Sequence, residues 1–399
     1  MTPDASMVLT GRAALEASGS VSAEDEVALG GFERTMGING EAQYYADDLP
    51  AALAVLAEHH RYAYVVPGES GPRWLRTADP FGRDVRAFPY PPEHGHGFAT
   101  LGEVFDDATN PGRKRPFAMR VVMQALIDQD GGHLERWHAW VGAETAIVWD
   151  AHLGGVPITL IGIESEAIAR DGYRPLDGPA AWTGGTLFPL SSKKVARALN
   201  AASGNRPAVI LANLAGFDGS PESLRKLQLE YGAEIARAVV GFEGPLLFLV
   251  VSRYHGGAYV VFSQSLNPRL HALALTGSYA SVIGGSAAAS VVFTREVRAR
   301  ASQEPAVREA LAAWRARPSP ATHDAYERAL AAASATARAA IAGEFDAVHT
   351  VERARSVGSL ADIIEPRDMR PALIRVLHAE ARNPAVAAST DATLGATRT

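Results

Sequence analysis

A short apolar segment that runs into a pair of glycines constrains the fold of this chain more than any other feature. Residues 246–251 are apolar throughout and follow Gly244-Pro245, a pattern typical of a buried parallel strand. Gly256 and Gly257 then separate this strand from a predicted helix that begins at Ala258. Glycine leaves room for a ligand oxygen beside the unpaired amides of a helix start. The turn therefore predicts either an oxyanion site or a tight packing turn without a ligand.

The segments around this turn predict an α/β protein. Short apolar runs alternate with stretches of helical periodicity, as in parallel strands joined by right-handed βαβ crossovers. The predicted strands are residues 7–11, 42–45, 145–150, 157–163, 207–213, 246–251, 280–285 and 357–364. The predicted helices are residues 49–59, 117–127, 191–200, 221–240 and 371–377, with a helical arm rich in Ala, Arg and Glu at 302–348.

Composition excludes several classes of function. The chain of 399 residues carries a formal net charge of −6, so no basic surplus indicates nucleic-acid binding. It contains no cysteine, which excludes disulfides, thiolate metal sites and a cysteine nucleophile. It also lacks a G-x-x-x-x-G-K-S/T motif and a metal-ligand spacing of histidines, so we expect no metal, ATP or nicotinamide cofactor. Without a signal segment or a membrane-length apolar run, the sequence predicts a cytoplasmic protein.

Two segments indicate domain organisation. Residues 67–92 are rich in Pro, Gly and Arg, which is typical of a linker, and they place a predicted domain boundary after residue 92. Residues 386–399 are small and polar, which predicts a disordered tail.

Six different glycine-containing blocks are distributed over about two thirds of the chain. They are Leu29-Gly30-Gly31, Asn39-Gly40, His152-Leu153-Gly154-Gly155-Val156-Pro157, Gly184-Gly185-Thr186-Leu187-Phe188-Pro189, Leu211-Ala212-Asn213-Leu214-Ala215-Gly216-Phe217-Asp218-Gly219-Ser220 and His255-Gly256-Gly257-Ala258-Tyr259. In order and spacing they resemble the carboxyltransferase component of biotin-dependent acyl-CoA carboxylases, and most closely the single-chain acetyl-CoA carboxylase type.

The resemblance implies a fold, a reaction and a set of partners. The fold would be crotonase-like α/β, with stacked ββα units and a helical arm near the C-terminus. The reaction would move a carboxyl group from carboxybiotin on a carrier protein to acetyl-CoA or propionyl-CoA. The implied partners are the acyl-CoA, a biotin carboxyl carrier protein and a biotin carboxylase.

The resemblance also divides the chain. Residues 1–92 would be the remnant of an N-terminal domain whose first half is missing, and residues 93–385 the C-terminal domain. The missing half would be supplied by a separate subunit, or the chain would be a cut or natural remnant. Because either case leaves apolar surface uncovered, we expect a homo-oligomer or a hetero-oligomer.

Site residues follow from the matching blocks. Gly256, Gly257 and Ala258 would form the oxyanion site on the biotin side. The loops lining the cleft would hold His255, Ala215, Gly216, Phe217, Gly184 and Gly185. Ala215 and His255 stand where the eukaryotic enzymes carry arginine, so His255 would either donate one hydrogen bond to a carboxylate or cap a loop. Glu164 and Asp218 are the carboxylates to examine as acids or bases.

Two other functions stay open. A repurposed crotonase-like enzyme could decarboxylate or hydrolyse an acyl-thioester without biotin, because charge also develops on a carbonyl oxygen in those reactions. Alternatively, the chain could be a non-catalytic scaffold subunit of a split carboxylase.

Overall fold

A computed structural model describes residues 1–19, 24–170 and 174–381 of the chain. The predicted disordered tail, 386–399, lies outside these residues. Within them the strands are β1 (His133–Arg136), β2 (Ala146–Leu153), β3 (Val156–Ile163), β4 (Ile168–Ala169), β5 (Ala181–Trp182), β6 (Thr186–Leu187), β7 (Ala208–Leu214), β8 (Gly216–Phe217), β9 (Leu246–His255), β10 (Leu270–Leu275), β11 (Tyr279–Ser281) and β12 (Asp362–Ile364).

Helices surround these strands in the described part of the chain. They are α1 (Arg12–Ala17), α2 (Glu26–Gly30), α3 (Leu49–Ala63), α4 (Leu101–Phe105), α5 (Met119–Leu126), α6 (Pro189–Ala202), α7 (Pro221–Arg225), α8 (Gln228–Val240), α9 (Ala258–Val261), α10 (Gly285–Val291), α11 (Thr294–Gln303), α12 (Pro305–Ala316), α13 (Pro320–Val348), α14 (Val351–Ser356) and α15 (Met369–Ala381). No helix in these residues is both long and apolar enough to cross a membrane.

One eight-stranded sheet forms the centre of the molecule. Its strands lie in the order β1-β2-β3-β7-β9-β10-β12, and β11 pairs with the far end of β9. The pairs β3–β7, β7–β9 and β9–β10 are parallel, whereas β1–β2 and β2–β3 are antiparallel. The predicted strands at 145–150, 157–163, 207–213 and 246–251 are thus confirmed as neighbours in one sheet.

The sheet is buried on both faces, which explains why its strands are apolar throughout. Along β9, Leu246, Phe248 and Val250 enter one hydrophobic cluster with α6 and α8. The alternate residues Leu247 and Leu249 enter a second cluster with α5 and α15. Since successive side chains of a strand point to opposite faces, helices cover the sheet on each side.

Several predicted elements differ from the structure. The single helix expected at 221–240 is divided between α7 and α8 because Leu227 adopts a left-handed conformation, with φ +67°. The strands expected at 7–11 and 42–45 do not form. Instead, the amino group of Met1 donates to the carbonyl of Tyr44, and the amide of Ala46 donates to the carbonyl of Met1.

The predicted linker is bound to the sheet and its helices. Val85 and Tyr90 are buried in the same cluster as α5 and α15. Arg83 donates to the carbonyls of Ala125 and Ile127, at the end of α5. The domain boundary after residue 92 remains a prediction, and any boundary there has to accommodate these contacts.

The predicted arm, 302–348, corresponds to α12, α13 and the last residues of α11, and the observed helical arm also includes α10 and the rest of α11, which pack against α13. Its own buried cluster is small and consists of Ala289, Val297, Ala337 and Ile341. The ion pair between Arg300 and Glu344 joins α11 to α13. Most of the 29 residues of α13 are therefore not buried within the described chain.

Candidate active site

Three parallel strands end together at one edge of the sheet. β3, β7 and β9 are adjacent in the sheet and parallel. Their carboxyl ends therefore lie side by side, together with the residues that follow β3. This carboxyl edge is the usual place for ligands in α/β proteins. It carries most of the residues that the sequence predicted for the site.

The loops that follow β7 and β9 touch through their backbones. A β-carbon built on Gly256 would lie 3.2 Å from the α-carbon of Gly216 and 3.4 Å from the carbonyl oxygen of Ala215. Gly216 and Gly256 have φ values of +138° and +65°. Both positions therefore need glycine, for the close approach and for the backbone conformation.

The Gly256-Gly257 turn differs from the expected helix start. β9 continues to His255, and the helix after the turn, α9, is a single turn of four residues. The macrodipole of a long helix is therefore absent here. The amide of Gly256 donates to the carbonyl of Val282 at 3.0 Å. The amides of Gly257 and Ala258 have no partner within the described chain, so they are the donors that can serve the predicted oxyanion site, which remains a prediction.

Phe217 lies directly against Gly257. A β-carbon on Gly257 would lie 2.6 Å from Cδ2 of Phe217, and one on Gly232 would lie 3.2 Å from Cε2 of the same ring. β8, which contains Phe217, pairs in parallel with β6. The ring thus lies between the Gly256-Gly257 turn and α8, and glycine at 257 makes room for an aromatic side chain.

The Gly184-Gly185 loop is tied to the ends of β3 and β7. The amide of Gly185 donates to the carbonyl of Glu164, and the carbonyl of Gly185 accepts from the amide of Ala215, both at 2.6 Å. Gly185 has φ +71°, and a β-carbon there would lie 2.8 Å from the carbonyl oxygen of Asn213. The loop therefore belongs to the same cluster as the residues after β7.

Arg253 and Asn213 lie in the same cluster, and the sequence had predicted no role for either residue. Nε of Arg253 donates to Oδ1 of Asn213 at 2.9 Å, and Nδ2 of Asn213 donates to Oγ of Ser165 at 2.6 Å. These bonds connect the ends of β9, β7 and β3. A signal was present in the sequence, because polar residues that follow an apolar strand at its carboxyl end are candidates for ligand binding.

His255 is buried against the end of β11. Its side chain is 5 % exposed, and Nδ1 lies 3.1 Å from Oγ and 3.3 Å from the carbonyl oxygen of Ser281. Burial lowers the pKa of His255, so the neutral ring is favoured. These contacts favour the loop-capping alternative of the two that the sequence left open.

The two carboxylates singled out earlier have local partners. Oε1 of Glu164 accepts hydrogen bonds from the amides of Met119, Ser165 and Glu166. Burial nevertheless raises the pKa of Glu164. The carboxylate of Asp218 accepts from the amide and hydroxyl of Ser220. In residues 1–19, 24–170 and 174–381, no three His, Asp or Glu side chains are grouped so as to hold a metal.

A comparison with known protein families shows to which family this chain belongs. The model of the carboxyl transferase domain family matches residues 1–392. The chain belongs to the carboxyl transferase domain family. The predicted resemblance to the carboxyltransferases of acyl-CoA carboxylases is thereby confirmed.

Curated relatives of this carboxyl transferase domain are acetyl-CoA carboxylases. The acetyl-CoA carboxylase dmxL1 of Cryptosporiopsis sp. is 26 % identical over 199 residues, which are 44 % of this chain and 9 % of that protein. The mitochondrial acetyl-CoA carboxylase of Saccharomyces cerevisiae (strain ATCC 204508 / S288c) is 31 % identical over 156 residues, 36 % of this chain and 7 % of the relative. The segments that match this chain are thus less than a tenth of the length of these relatives.

Solved structures confirm the crotonase-like α/β fold. The crystal structure of transcarboxylase 12S with hydrolysed methylmalonyl-coenzyme A has a TM-score of 0.70 at 19 % identity, over 96 % of this chain and 60 % of that one. A single-chain, multi-domain long-chain acyl-CoA carboxylase has a TM-score of 0.59 at 17 % identity, over 94 % of this chain and 30 % of that one.

Proposed function

We propose that this chain is a carboxyltransferase that moves a carboxyl group from carboxybiotin on a carrier protein to an acyl-CoA. The acceptor would be acetyl-CoA or propionyl-CoA, and the product malonyl-CoA or methylmalonyl-CoA. The observation that carries this proposal is the match of residues 1–392 to the carboxyl transferase domain family. Since the match covers less than a tenth of each curated relative, their activity is extended to this chain as a proposal.

The end of β9 supports this reaction. Carboxylated biotin serves as the carboxyl donor, and negative charge develops on an oxygen of each partner during the transfer. The amides of Gly257 and Ala258 have no partner among the described residues, so they are available as donors to an oxygen of the substrate. We assign the two amides to that oxygen, and a preorganised donor of this kind contributes about 3–4 kcal/mol to the transition state. His255, residues 215–217 and residues 184–185 would line the same cleft.

Partners and assembly follow from the same assignment. A biotin carboxylase and a biotin carrier would deliver the donor. The transcarboxylase 12S of similar fold forms a hexamer assembly, which supports an oligomer here.

On α3, Leu49, Leu53 and Leu56 are all exposed along one face, which is typical of an interface.

Sedimentation velocity at micromolar concentration tests the predicted assembly. We expect a species larger than the monomer, and we expect Leu53→Lys to shift it toward the monomer because a charge would have to be buried at the interface. Leu229→Lys, at a leucine exposed on α8, is the matched control. A monomeric wild-type protein would contradict the prediction.

Biotin-dependent decarboxylation of malonyl-CoA or methylmalonyl-CoA tests the proposed activity. The protein is incubated with the carboxyacyl-CoA, with and without a biotinylated carrier, and the loss of the carboxyacyl-CoA is followed. Consumption that depends on the carrier supports the proposal. Consumption that is equally fast without biotin would favour the repurposed decarboxylase or hydrolase, whereas no consumption would favour the scaffold subunit.

A further inference from the structure

The guanidinium of Arg253 differs from the other sheltered arginines of this protein. Arg83, Arg120, Arg170, Arg206 and Arg370 each form an ion pair with a carboxylate. Arg113 forms no ion pair within the described part of the chain, but two carbonyl oxygens and the hydroxyl of Ser278 accept from its nitrogens. Arg253 forms no ion pair with any residue that the structure describes, and its hydrogen bond runs from Nε to Asn213.

Among the described residues, no carboxylate forms an ion pair with the guanidinium of Arg253. The side chain is half-buried at the end of β9. Burial lowers its pKa, although the nearby charge of Asp346 opposes this effect. Asp346 forms no ion pair with Arg253, and its Oδ1 accepts instead from the amide of Gly285 at 2.9 Å. Removing a charge from water without a partner is costly, so the arrangement is suited to an anion that comes from outside the chain.

The free end of the guanidinium points into the candidate site. A β-carbon built on Gly185 would lie 3.5 Å from Nη2 of Arg253 and 3.6 Å from the amide nitrogen of Ala215. Gly185 is therefore the neighbour that leaves open the space in front of Nη2. The amide of Ala215 is occupied by Gly185, and Ala215 offers no charge of its own. Arg253 therefore places a cationic side chain beside Gly185 and Ala215, at the carboxyl ends of the strands.

We propose that Arg253 binds the carboxylate that is being transferred, and that Asn213 is the positioning residue that aims its guanidinium. This inference rests on the proposed function. In the transfer, the N–C bond of the donor breaks, a C–C bond to the acyl α-carbon forms, and the α-proton ends on the donor nitrogen. The carboxylate carries the same negative charge on donor and product, so one arginine serves both. A planar guanidinium fits a carboxylate bidentately.

Paired binding measurements test the proposal without turnover. Calorimetric titration with malonyl-CoA and acetyl-CoA compares two ligands that differ only in the carboxylate. We expect the wild-type protein to bind malonyl-CoA about 10- to 100-fold more tightly, and Arg253→Gln to remove this preference while leaving the Kd for acetyl-CoA unchanged. Arg253→Lys should retain part of the preference, because an ammonium keeps the charge without the bidentate geometry.

Two further variants separate charge from structure. Asn213→Asp keeps the shape of the side chain but places a carboxylate beside Nε, so we expect it to reduce the preference for malonyl-CoA as Arg253→Gln does. Arg269→Gln is the matched control, because Arg269 is also sheltered but lies before β10, at the opposite edge of the sheet, with Glu380 as its partner. It should leave the preference unchanged.

The outcomes distinguish this inference from the proposed function. Equal affinity for the two ligands, or binding of neither, in the wild-type protein would overturn the inference. So would an unchanged preference in a folded Arg253→Gln variant, even if the protein catalyses biotin-dependent transfer. Conversely, a preference that depends on Arg253 in a protein without biotin-dependent transfer would keep the anion site and reject the proposed function. Thermal unfolding of each variant establishes that it is folded.

Discussion

Lys194 carries the most deeply buried ammonium group of α6. Its side chain is 2 % exposed, and it forms no ion pair within the described residues, although Glu135 and Glu144 are near enough to favour its charge. Burial lowers the pKa of Lys194 to about 8. The folded protein therefore bears the cost of a buried cation at neutral pH.

We expect Lys194→Met to stabilise the protein by about 3 kcal/mol at pH 7. Between pH 8 and the ordinary pKa of lysine, the unfolded wild-type chain binds more protons than the folded one, so wild-type stability rises with pH. The advantage of the variant should shrink accordingly when urea unfolding is repeated at pH 10. Lys193→Met, at the less buried neighbouring residue, is the control. A gain that is independent of pH would contradict the explanation.

Gly257 combines a permissive backbone with a crowded side-chain position. Its φ of −59° suits any residue, but a β-carbon would lie 2.6 Å from the ring of Phe217. We expect Gly257→Ala to destabilise the protein by about 1–3 kcal/mol through overpacking. A loss of activity in this variant would therefore not by itself show that the added methyl group crowds the ligand.

A double-mutant cycle resolves this ambiguity. Adding Phe217→Leu to Gly257→Ala should recover most of the unfolding free energy, since the ring that is displaced would be gone. If both stability and carboxyl transfer recover, the glycine serves packing. Recovery of stability without activity would place the added methyl group against the ligand.

At the scale of elements, the break between α7 and α8 depends on one strained residue. Leu227 has φ +67°, and a left-handed backbone costs leucine about 1–2 kcal/mol. Because its side chain is 48 % exposed, burial of the side chain offsets little of this cost. Leu227→Gly should therefore raise the free energy of unfolding by about 1 kcal/mol.

Leu224→Gly provides the matched comparison for this prediction. Leu224 is equally exposed, at 48 %, but lies inside α7. Glycine there should destabilise by about 1 kcal/mol, because it adds backbone freedom to the unfolded chain. Thermal unfolding should show midpoint shifts of opposite sign. Destabilisation by both substitutions would show that the left-handed strain at Leu227 is not the dominant effect.

At the scale of the whole molecule, Arg370 joins segments that are distant in sequence. It is fully buried at the start of α15. Its guanidinium lies 2.6 Å from Asp128 and 3.2 Å from Asp79, and it donates to the carbonyl of Leu126. Asp128 in turn accepts from the amides of the turn between β2 and β3. One arginine thus connects the predicted linker, the central sheet and the C-terminal helix.

We expect Arg370→Met to cost about 3–5 kcal/mol, because two acidic side chains would lose their shared partner. Arg375→Met, at an exposed position on the same helix, should be nearly neutral. Denaturant unfolding of both variants measures the difference. A cost at Arg370 no larger than at Arg375 would mean that the linker is not held by this ion pair.

The sequence by itself determined the class of fold and the family. Buried strands such as β7 and β9 are apolar along their whole length, and this pattern is visible without knowing what covers them. The Gly-Gly blocks carried the resemblance that the family match confirms. The helix predicted at 49–59 also forms, and the carboxylate of Asp48 caps it by accepting from the amide of Ala51.

Only the tertiary structure decided how the site is built. The contacts between Gly216 and Gly256, Phe217 and Gly257, and Asn213 and Arg253 join residues about 40 positions apart in the chain. They depend on the register of β7 against β9, which shifts between Ala212 and Leu214. Since a one-residue shift reverses the direction of every side chain that follows, no local pattern could assign Asn213 to Arg253. The unpaired charge of Arg253 became visible only once its neighbours were in place.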